Sequence, residues 1–319
     1  MLHVRAVCPA DITDTALDLL RADPGATLVT VQRGAAVEPA GDLLECVLAR
    51  ESADDVLNAL RDLGVVRTGG IALEDVGTLL SDAAEVAAEK APDRGADSVV
   101  WQELVAQTGE ASTLTPSFLA FIIIACLLAV VGVATDSSVT IVGAMVVGPE
   151  YGPLAGTAVA LVRKDYRLAA RSALALLVGF PVAMTVAWFA TWLFRKLGWV
   201  TAAGVENLQN VDFIYKVGPF SVVVALLAGA AGMLATMTPK SAALVGVFIS
   251  VTTIPAAGFA VVAAEVGSWH KAAMSLGQLA VNMVGIVAAG VLVLWLRPRH
   301  RPGGGTLSRL NRWWLSDTA

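Results

Sequence analysis

From residue 111 to residue 296 the chain is a succession of long uncharged apolar stretches. They cover 111–135, 137–162 (interrupted only by Glu150), 172–194, 217–239, 241–264 and 272–296. A helix needs about 20 apolar residues to cross a bilayer, so the pattern predicts six spans. Upstream the pattern shortens and alternates. Residues 2–8, 27–33, 43–49 and 65–73 read as strands. Asp11 or Thr13 is placed to cap a helix running to about residue 22, ended by Pro24-Gly25. Ser52 is placed to cap a second helix with Val56, Leu57, Leu60 and Leu63 at helical spacing, closed by Gly64. The order β-α-β-β-α-β is that of a ferredoxin-like domain. Residues 83–91 predict an Ala/Glu-rich helix, broken by Pro92, Gly95 and Asp97. Residues 99–107 predict an amphipathic helix suited equally to the membrane edge and to packing on the head. The expected organisation is a head (1–74), a helical connector (75–112), a membrane domain (113–297) and a basic tail (298–319).

Two of the apolar stretches carry breaks. Gly148-Pro149-Glu150-Tyr151-Gly152-Pro153 cannot continue as regular helix: two prolines remove donors and two glycines weaken what is left. The counterpart is Thr252-Thr253-Ile254-Pro255, followed by Gly258. Irregular backbone at membrane depth is tolerated where protein buries it or where it lines a watery cavity. Glu150 lies near the middle of its stretch. A carboxylate there costs several kcal/mol unless it is paired, hydrated or protonated. Tyr151, Ser250, Thr252 and Thr253 offer oxygens beside the breaks, and Gln278 and Asn282 lie one turn apart on the last span. These seven residues are the candidate solute or ion site, with Pro149, Gly152, Pro153, Pro255 and Gly258 as helix-break residues. The alternative for Glu150 is a protonated hydrogen bond to backbone freed by the prolines.

The breaks fall at matching places in an internal repeat. Thr135-Asp136-Ser137-Ser138-Val139-Thr140-Ile141-Val142-Gly143 aligns with Thr238-Pro239-Lys240-Ser241-Ala242-Ala243-Leu244-Val245-Gly246. After one gap, Pro153-Leu154-Ala155-Gly156 aligns with Pro255-Ala256-Ala257-Gly258. Three spans per copy invert the second copy, and inverted repeats with interrupted helices mark many secondary transporters. The expected fold class is thus an α-helical membrane protein. Its six transmembrane helices form two inverted three-helix repeats, preceded by an α+β ferredoxin-like cytoplasmic domain.

Composition supports a membrane body. Hydrophobic residues make up 56%, charged residues 15%, and mean hydropathy is +0.70; a soluble chain of this kind would expose large apolar patches. Residues 1–110 carry 20 acids and 8 bases, against 7 acids and 14 bases beyond them. Arg163, Lys164, Arg167 and Arg171 follow the second span, and Arg297, Arg299, Arg301, Arg309 and Arg312 follow the sixth. The positive-inside rule places head and tail in the cytoplasm, with the chain a multi-pass protein of the plasma (inner) membrane. The acidic head argues against nucleic acid as a partner. The expected partners are the bilayer, an unidentified small solute or ion, and a second copy of the chain.

Cys8, Cys46 and Cys126 show no metal spacing, and His3, His270 and His300 are scattered. There is no Walker loop, strand-borne GxGxxG, HExxH or GxSxG. The expectation is therefore no enzyme, no cofactor and no metal, with any transport driven by an ion or proton gradient.

Thr135-Asp136-Ser137, Ile141-Val142-Gly143-Ala144-Met145 and Pro149…Gly152-Pro153 resemble the central signature of the bacterial and archaeal domain of unknown function 389 membrane family. The run from Ser241 to Pro255, and Leu279…Asn282, resemble its second half. The resemblance covers about residues 95–297 and implies a multi-pass inner-membrane protein. The chain departs from the family's commoner pattern at Glu150-Tyr151, where hydrophobic residues are usual, and at Ile254-Pro255, where a double proline is usual. Two functional expectations follow. One is an ion- or proton-coupled transporter or channel with a midplane site at the broken helices and a regulatory or oligomerising head. The other is a membrane-anchored sensor whose head binds a small molecule.

Overall fold

The computed structural model describes residues 1–91, 100–201, 208, 214, 218–237 and 253–296. The chain divides into two compact units that meet in sequence between Glu103 and Leu104.

The first unit is built on a four-stranded sheet. The elements run β1 (Leu2–Cys8), α1 (Ala10–Ala22), β2 (Ala26–Val37), β3 (Ala40–Leu48), α2 (Arg50–Asp62), α3 (Val65–Thr68) and β4 (Gly70–Asp75). Strand order is β2-β3-β1-β4, and every neighbouring pair is antiparallel. The alternation in β1 sends Leu2, Val4, Ala6 and Cys8 to one face. There they join Leu44, Cys46 and Leu48 of β3, Leu17 and Leu20 of α1, and Val56, Leu57 and Leu60 of α2 in one core.

Three local expectations are corrected. Pro9, not Asp11 or Thr13, holds the N-cap of α1, and the Thr13 hydroxyl donates to Pro9 O at 2.9 Å. Proline suits this end because its missing N–H has no partner to lose. Ser52 sits buried inside α2, which begins two residues earlier at Arg50. The fourth strand starts at Gly70 because residues 65–68 first form a short helix. Gly64, at φ 90°, turns the chain into it, and fully buried Val65 anchors it in the core.

Two further helices follow. α4 (Asp82–Lys90) is capped by Ser81, whose hydroxyl accepts the Ala84 N–H. α5 (Trp101–Ala111) begins on the head. Its Trp101 N–H donates to Asp54 Oδ1 at 3.0 Å and Gln102 Nε2 donates to Asn58 Oδ1 at 3.1 Å. Arg50 pairs with both Asp75 and Glu103, and Val100 is buried in the head core. Of the apolar positions in this amphipathic stretch, Val100 is thus taken up by the head.

The second unit is helical: α6 (Pro116–Ala134), α7 (Ser138–Val147), α8 (Tyr151–Arg163), α9 (Tyr166–Lys196), α10 (Pro219–Thr236), α11 (Ile254–Glu265) and α12 (Trp269–Leu296). Four of these, α6, α9, α10 and α12, are long and apolar enough to cross a bilayer. The pair α7 and α8 is long and apolar enough only when taken together, and it is bent by 53° at the break, as a broken span or a re-entrant loop is. The first half of the expected span 241–264, residues 241–252, lies outside the described residues. Its described part is α11, 12 residues of apolar helix. Residues 254–263 of α11 are all buried, so this helix is enclosed by protein on every side. It packs between α6, α9 and α12. By contrast, α9 exposes Leu174, Leu177 and Phe189, a surface suited to lipid.

Close helix approach rests on glycine. A Cβ on Gly258 of α11 would meet Ala129 Cβ of α6 at 2.6 Å. One on Gly229 of α10 would meet Ile286 O of α12 at 2.5 Å, and one on Gly285 of α12 would meet Ala225 Cβ at 2.8 Å. Small residues at such crossings replace the missing hydrophobic drive between helices in lipid.

Three turns have the same construction. Between α6 and α7, Ser137 N–H donates to Gly132 O and Ile141 N–H to Ser137 O, with Asp136 at φ 47°. Between α8 and α9, Asp165 N–H donates to Ala160 O and Ala169 N–H to Asp165 O, with Lys164 at φ 58°. Between α11 and α12, Ser268 N–H donates to Ala263 O and Ala272 N–H to Ser268 O, with Gly267 at φ 85°. Each is a helix end closed by a left-handed residue and a six-to-one bond.

Candidate functional site

The break in the second apolar stretch falls at residues 148–150, between Val147 and Tyr151. Gly148 is extended (φ −66°, ψ 129°) and Glu150 occupies the N-cap of α8. Gly152 and Pro153 do not break the chain: they form the first turn of α8, where a proline has no bond to lose. Gly152 serves packing, since a Cβ there would lie 2.6 Å from Ala111 Cβ. Thr253 is the N-cap of α11, with Pro255 in its first turn. Gly258 lies inside α11 as the contact with Ala129.

The two caps touch. Thr253 Oγ1 donates to Glu150 Oε1 at 2.6 Å, and both residues have no exposed surface. Because each residue directly precedes a helix, the bond brings the N-terminal ends of α8 and α11 together. A helix N-terminus carries roughly half a positive charge and unpaired N–H groups. The carboxylate therefore sits where two short helices present their positive ends.

The other expected residues divide. Tyr151 turns away from Glu150: its hydroxyl lies 3.1 Å from Thr236 Oγ1 of α10. Thr236 already donates to Gly232 O at 2.9 Å, so the phenol is the donor. Gln278 and Asn282 pair with each other, Gln278 Nε2 donating to Asn282 Oδ1 at 3.0 Å. Both are buried, and Gln278 Oε1 has no hydrogen-bond partner among the described residues. Ser250 and Thr252 lie outside the described residues. Two residues not anticipated belong here. Ser275, three residues before Gln278, donates to Ala256 O in the first turn of α11 at 2.8 Å. Thr236 receives Tyr151. Ser275 was legible as a third polar position on the Gln278–Asn282 face; Thr236 sits at the end of an otherwise apolar helix and gave no such signal.

A chain of contacts thus runs Glu150–Thr253, then the first turn of α11, then Ser275, with Gln278 and Asn282 following on the same face of α12. Every contributed group is a neutral oxygen or amide apart from the one carboxylate. Such a set can hold a proton, or supply oxygens to a hard monovalent cation. Among the described residues no group of three or more His, Cys, Asp or Glu is placed to hold a metal ion. At the far ends of α9 and α11, Arg195 Nη1 donates to Glu265 O at 2.6 Å and meets Glu265 Oε1 at 3.3 Å, a cation on a helix C-terminus.

Residues 145–288 match the family described as "Domain of unknown function (DUF389)". An uncharacterized protein of Methanocaldococcus jannaschii is 22% identical over 202 residues, which are 62% of this chain and 59% of that protein. The match therefore spans less than two thirds of the relative's length. No solved structure matches the chain. The matched segment opens at Met145, five residues before Glu150, and closes beyond Asn282, so it contains both breaks and the polar face of α12. Residues 145–288 of the chain are thus similar to this family of unknown function.

Proposed function

We propose that the protein is an ion- or proton-coupled membrane transporter or channel whose site is the meeting point of α8 and α11. The observation that carries this reading is the buried bond between Glu150 and Thr253 at two helix N-termini. A purely structural carboxylate has no need of interrupted helices on both sides. A carrier needs a titratable or cation-binding group in backbone that can change shape. On this reading Glu150 takes up the coupling ion, Thr253 holds the carboxylate in place, and Gln278 and Asn282 line the way to it.

Six spans in two inverted repeats fit the same picture. The alignment of Pro153 and Gly156 with Pro255 and Gly258 supports the repeat. Strand order β2-β3-β1-β4 supports a ferredoxin-like head, a fold that serves assembly or regulation. The basic loops favour a cytoplasmic head in the plasma membrane.

A hydrophobic carbodiimide tests the site, because it modifies a protonatable carboxyl reached from the bilayer. Labelling of Glu150 that fades as pH rises, or on adding one cation, supports the reading. Absence of labelling at every pH and in every salt would mark Glu150 as sealed structure.

A further inference from the structure

A second place on the membrane unit has the chemistry of a ligand site, independent of Glu150. It is an open cleft of about 480 Å³ lined by α5 residues Val105, Ala106, Gly109 and Glu110, by Thr113, and by Asp165, Arg167, Leu168 and Arg171 at the start of α9. That volume lies within the range of small-molecule sites, roughly 300–1,000 Å³. Leu168 closes the floor, its Cδ1 3.9 Å from where a Gly109 Cβ would stand.

The charges in this cleft are not paired with one another. Arg167 and Arg171 are one turn apart on one face of α9, a spacing at which like charges repel. Neither forms an ion pair among the described residues; Arg171 Nη2 donates to the neutral hydroxyl of Thr113 at 2.6 Å. Asp165, although it lines the cleft, is engaged in capping α9: its Oδ1 accepts the N–H groups of Arg167 and Leu168 at 3.0 and 3.1 Å. Glu110 of α5 also lines the cleft and forms no ion pair among the described residues, so two guanidinium groups and one carboxylate not engaged in capping face a cleft with an apolar floor. A planar fork of donors is suited to the oxygens of a phosphate.

The surroundings say where that phosphate comes from. Arg171 is the last charge before the uncharged stretch 172–194. The next apolar side chains along α9 include Leu174 and Leu177, which are 53% and 74% exposed. Just before the arginines, Tyr166 is 82% exposed, an aromatic ring of the kind enriched at membrane interfaces. Polar cleft and bare apolar ridge are thus stacked in the order of a phospholipid head group and its acyl chains.

We propose that this cleft binds an anionic glycerophospholipid. Arg167 and Arg171 hold the phosphate, Thr113 keeps Arg171 turned into the cleft, and the acyl chains lie along Leu174 and Leu177. Basic pockets between helices at a membrane surface recognise lipid head groups by this chemistry.

The test uses the full-length protein in detergent, with apparent Tm read against added phosphatidylglycerol, phosphatidylcholine or inorganic phosphate. Phosphatidylglycerol should raise the Tm by several degrees, phosphatidylcholine by less, and inorganic phosphate not at all. Arg167→Gln and Arg171→Gln should each reduce the shift, and the double variant should abolish it. Lys196→Gln, at the other end of α9, should leave it intact. Should the double variant fold poorly, phosphatidylglycerol retained by the two single variants is counted by native mass spectrometry, with fewer bound lipids expected than in the wild type. An undiminished shift or lipid count in the arginine variants overturns the proposal. An equal response to phosphatidylcholine overturns the role of charge, and an equal response to inorganic phosphate assigns the cleft to a soluble phosphate instead of lipid.

Discussion

Thr253 donates a 2.6 Å hydrogen bond to Glu150, from a position 103 residues later in the chain, and each of the two is the last residue before a short buried helix. Removing the donor leaves a buried carboxylate oxygen short of a partner, and bonds to charged groups are worth about 1.5–3 kcal/mol. Thr253→Val should therefore lower the apparent Tm of the purified protein by several degrees, and Thr253→Ser should recover most of it. Equal stability of the valine and serine variants would show that the bond does not hold the two helix ends together.

The crossing of α11 with α6 makes a sharper packing prediction. Gly258→Val forces a side chain into a space where Ala129 Cβ already lies 2.6 Å from the first added carbon. Overpacking of this kind costs about 1–3 kcal/mol. Gly143→Ala, where nothing lies within 4 Å, should be neutral or stabilising by up to about 1 kcal/mol. Thermal unfolding of the two variants side by side checks the contrast.

In the head, Asp42 accepts the Gly34 N–H at 2.7 Å and the Arg33 guanidinium at 2.9 Å. The Gly34 N–H foremost, with Arg33 adding to it, holds the Asp42 carboxyl below the usual carboxylate range. A depressed folded value means the contribution to stability is complete above the unfolded value, about 3.9, and is lost as pH falls through the folded one. Amide exchange across residues 33–42, corrected for intrinsic rates, should rise steeply below about pH 4. Asp42→Asn should already be loosened at neutral pH and show no such acid step.

All three cysteines are buried. Burial, with Asp23 adding to it, pushes the Cys46 thiol up to about 12, and burial followed by Asp42 raises Cys8. Reactivity follows the thiolate, so neither head cysteine should react with a maleimide at neutral pH until the protein unfolds. Mass spectrometry before and after detergent denaturation reads this directly; native labelling of Cys46 would contradict its burial.

Much of this architecture is written in the sequence, and the parts that are not have identifiable causes. The alternation in 2–8 and the spacing of Val56, Leu57 and Leu60 report burial on one face, and burial is what builds the head core. The Gly148-Pro149-Glu150 break is legible because proline and glycine act locally. Asp11, Thr13 and Ser52 do not cap, because several polar residues can start a helix and tertiary packing selects among them. At 65–68 the local preference of Val65 and Val66 is for strand, but Gly64 and the buried Val65 make a helix there. In the site, Gln278–Asn282 was legible from an i, i+4 spacing on one helix. The choice of Thr253 as partner of Glu150, and of Thr236 for Tyr151, depends on how distant helices cross, which local pattern does not encode.

The central claim is that Glu150 carries the coupling ion. Proteoliposomes holding a pH-sensitive dye, given an imposed proton or sodium gradient, compare wild type with Glu150→Gln and Glu150→Asp. The account predicts gradient-driven flux in the wild type, reduced flux with aspartate, and loss of at least tenfold with glutamine while the protein still purifies as a folded species. Glu150→Gln vesicles that carry flux at the wild-type rate would contradict it.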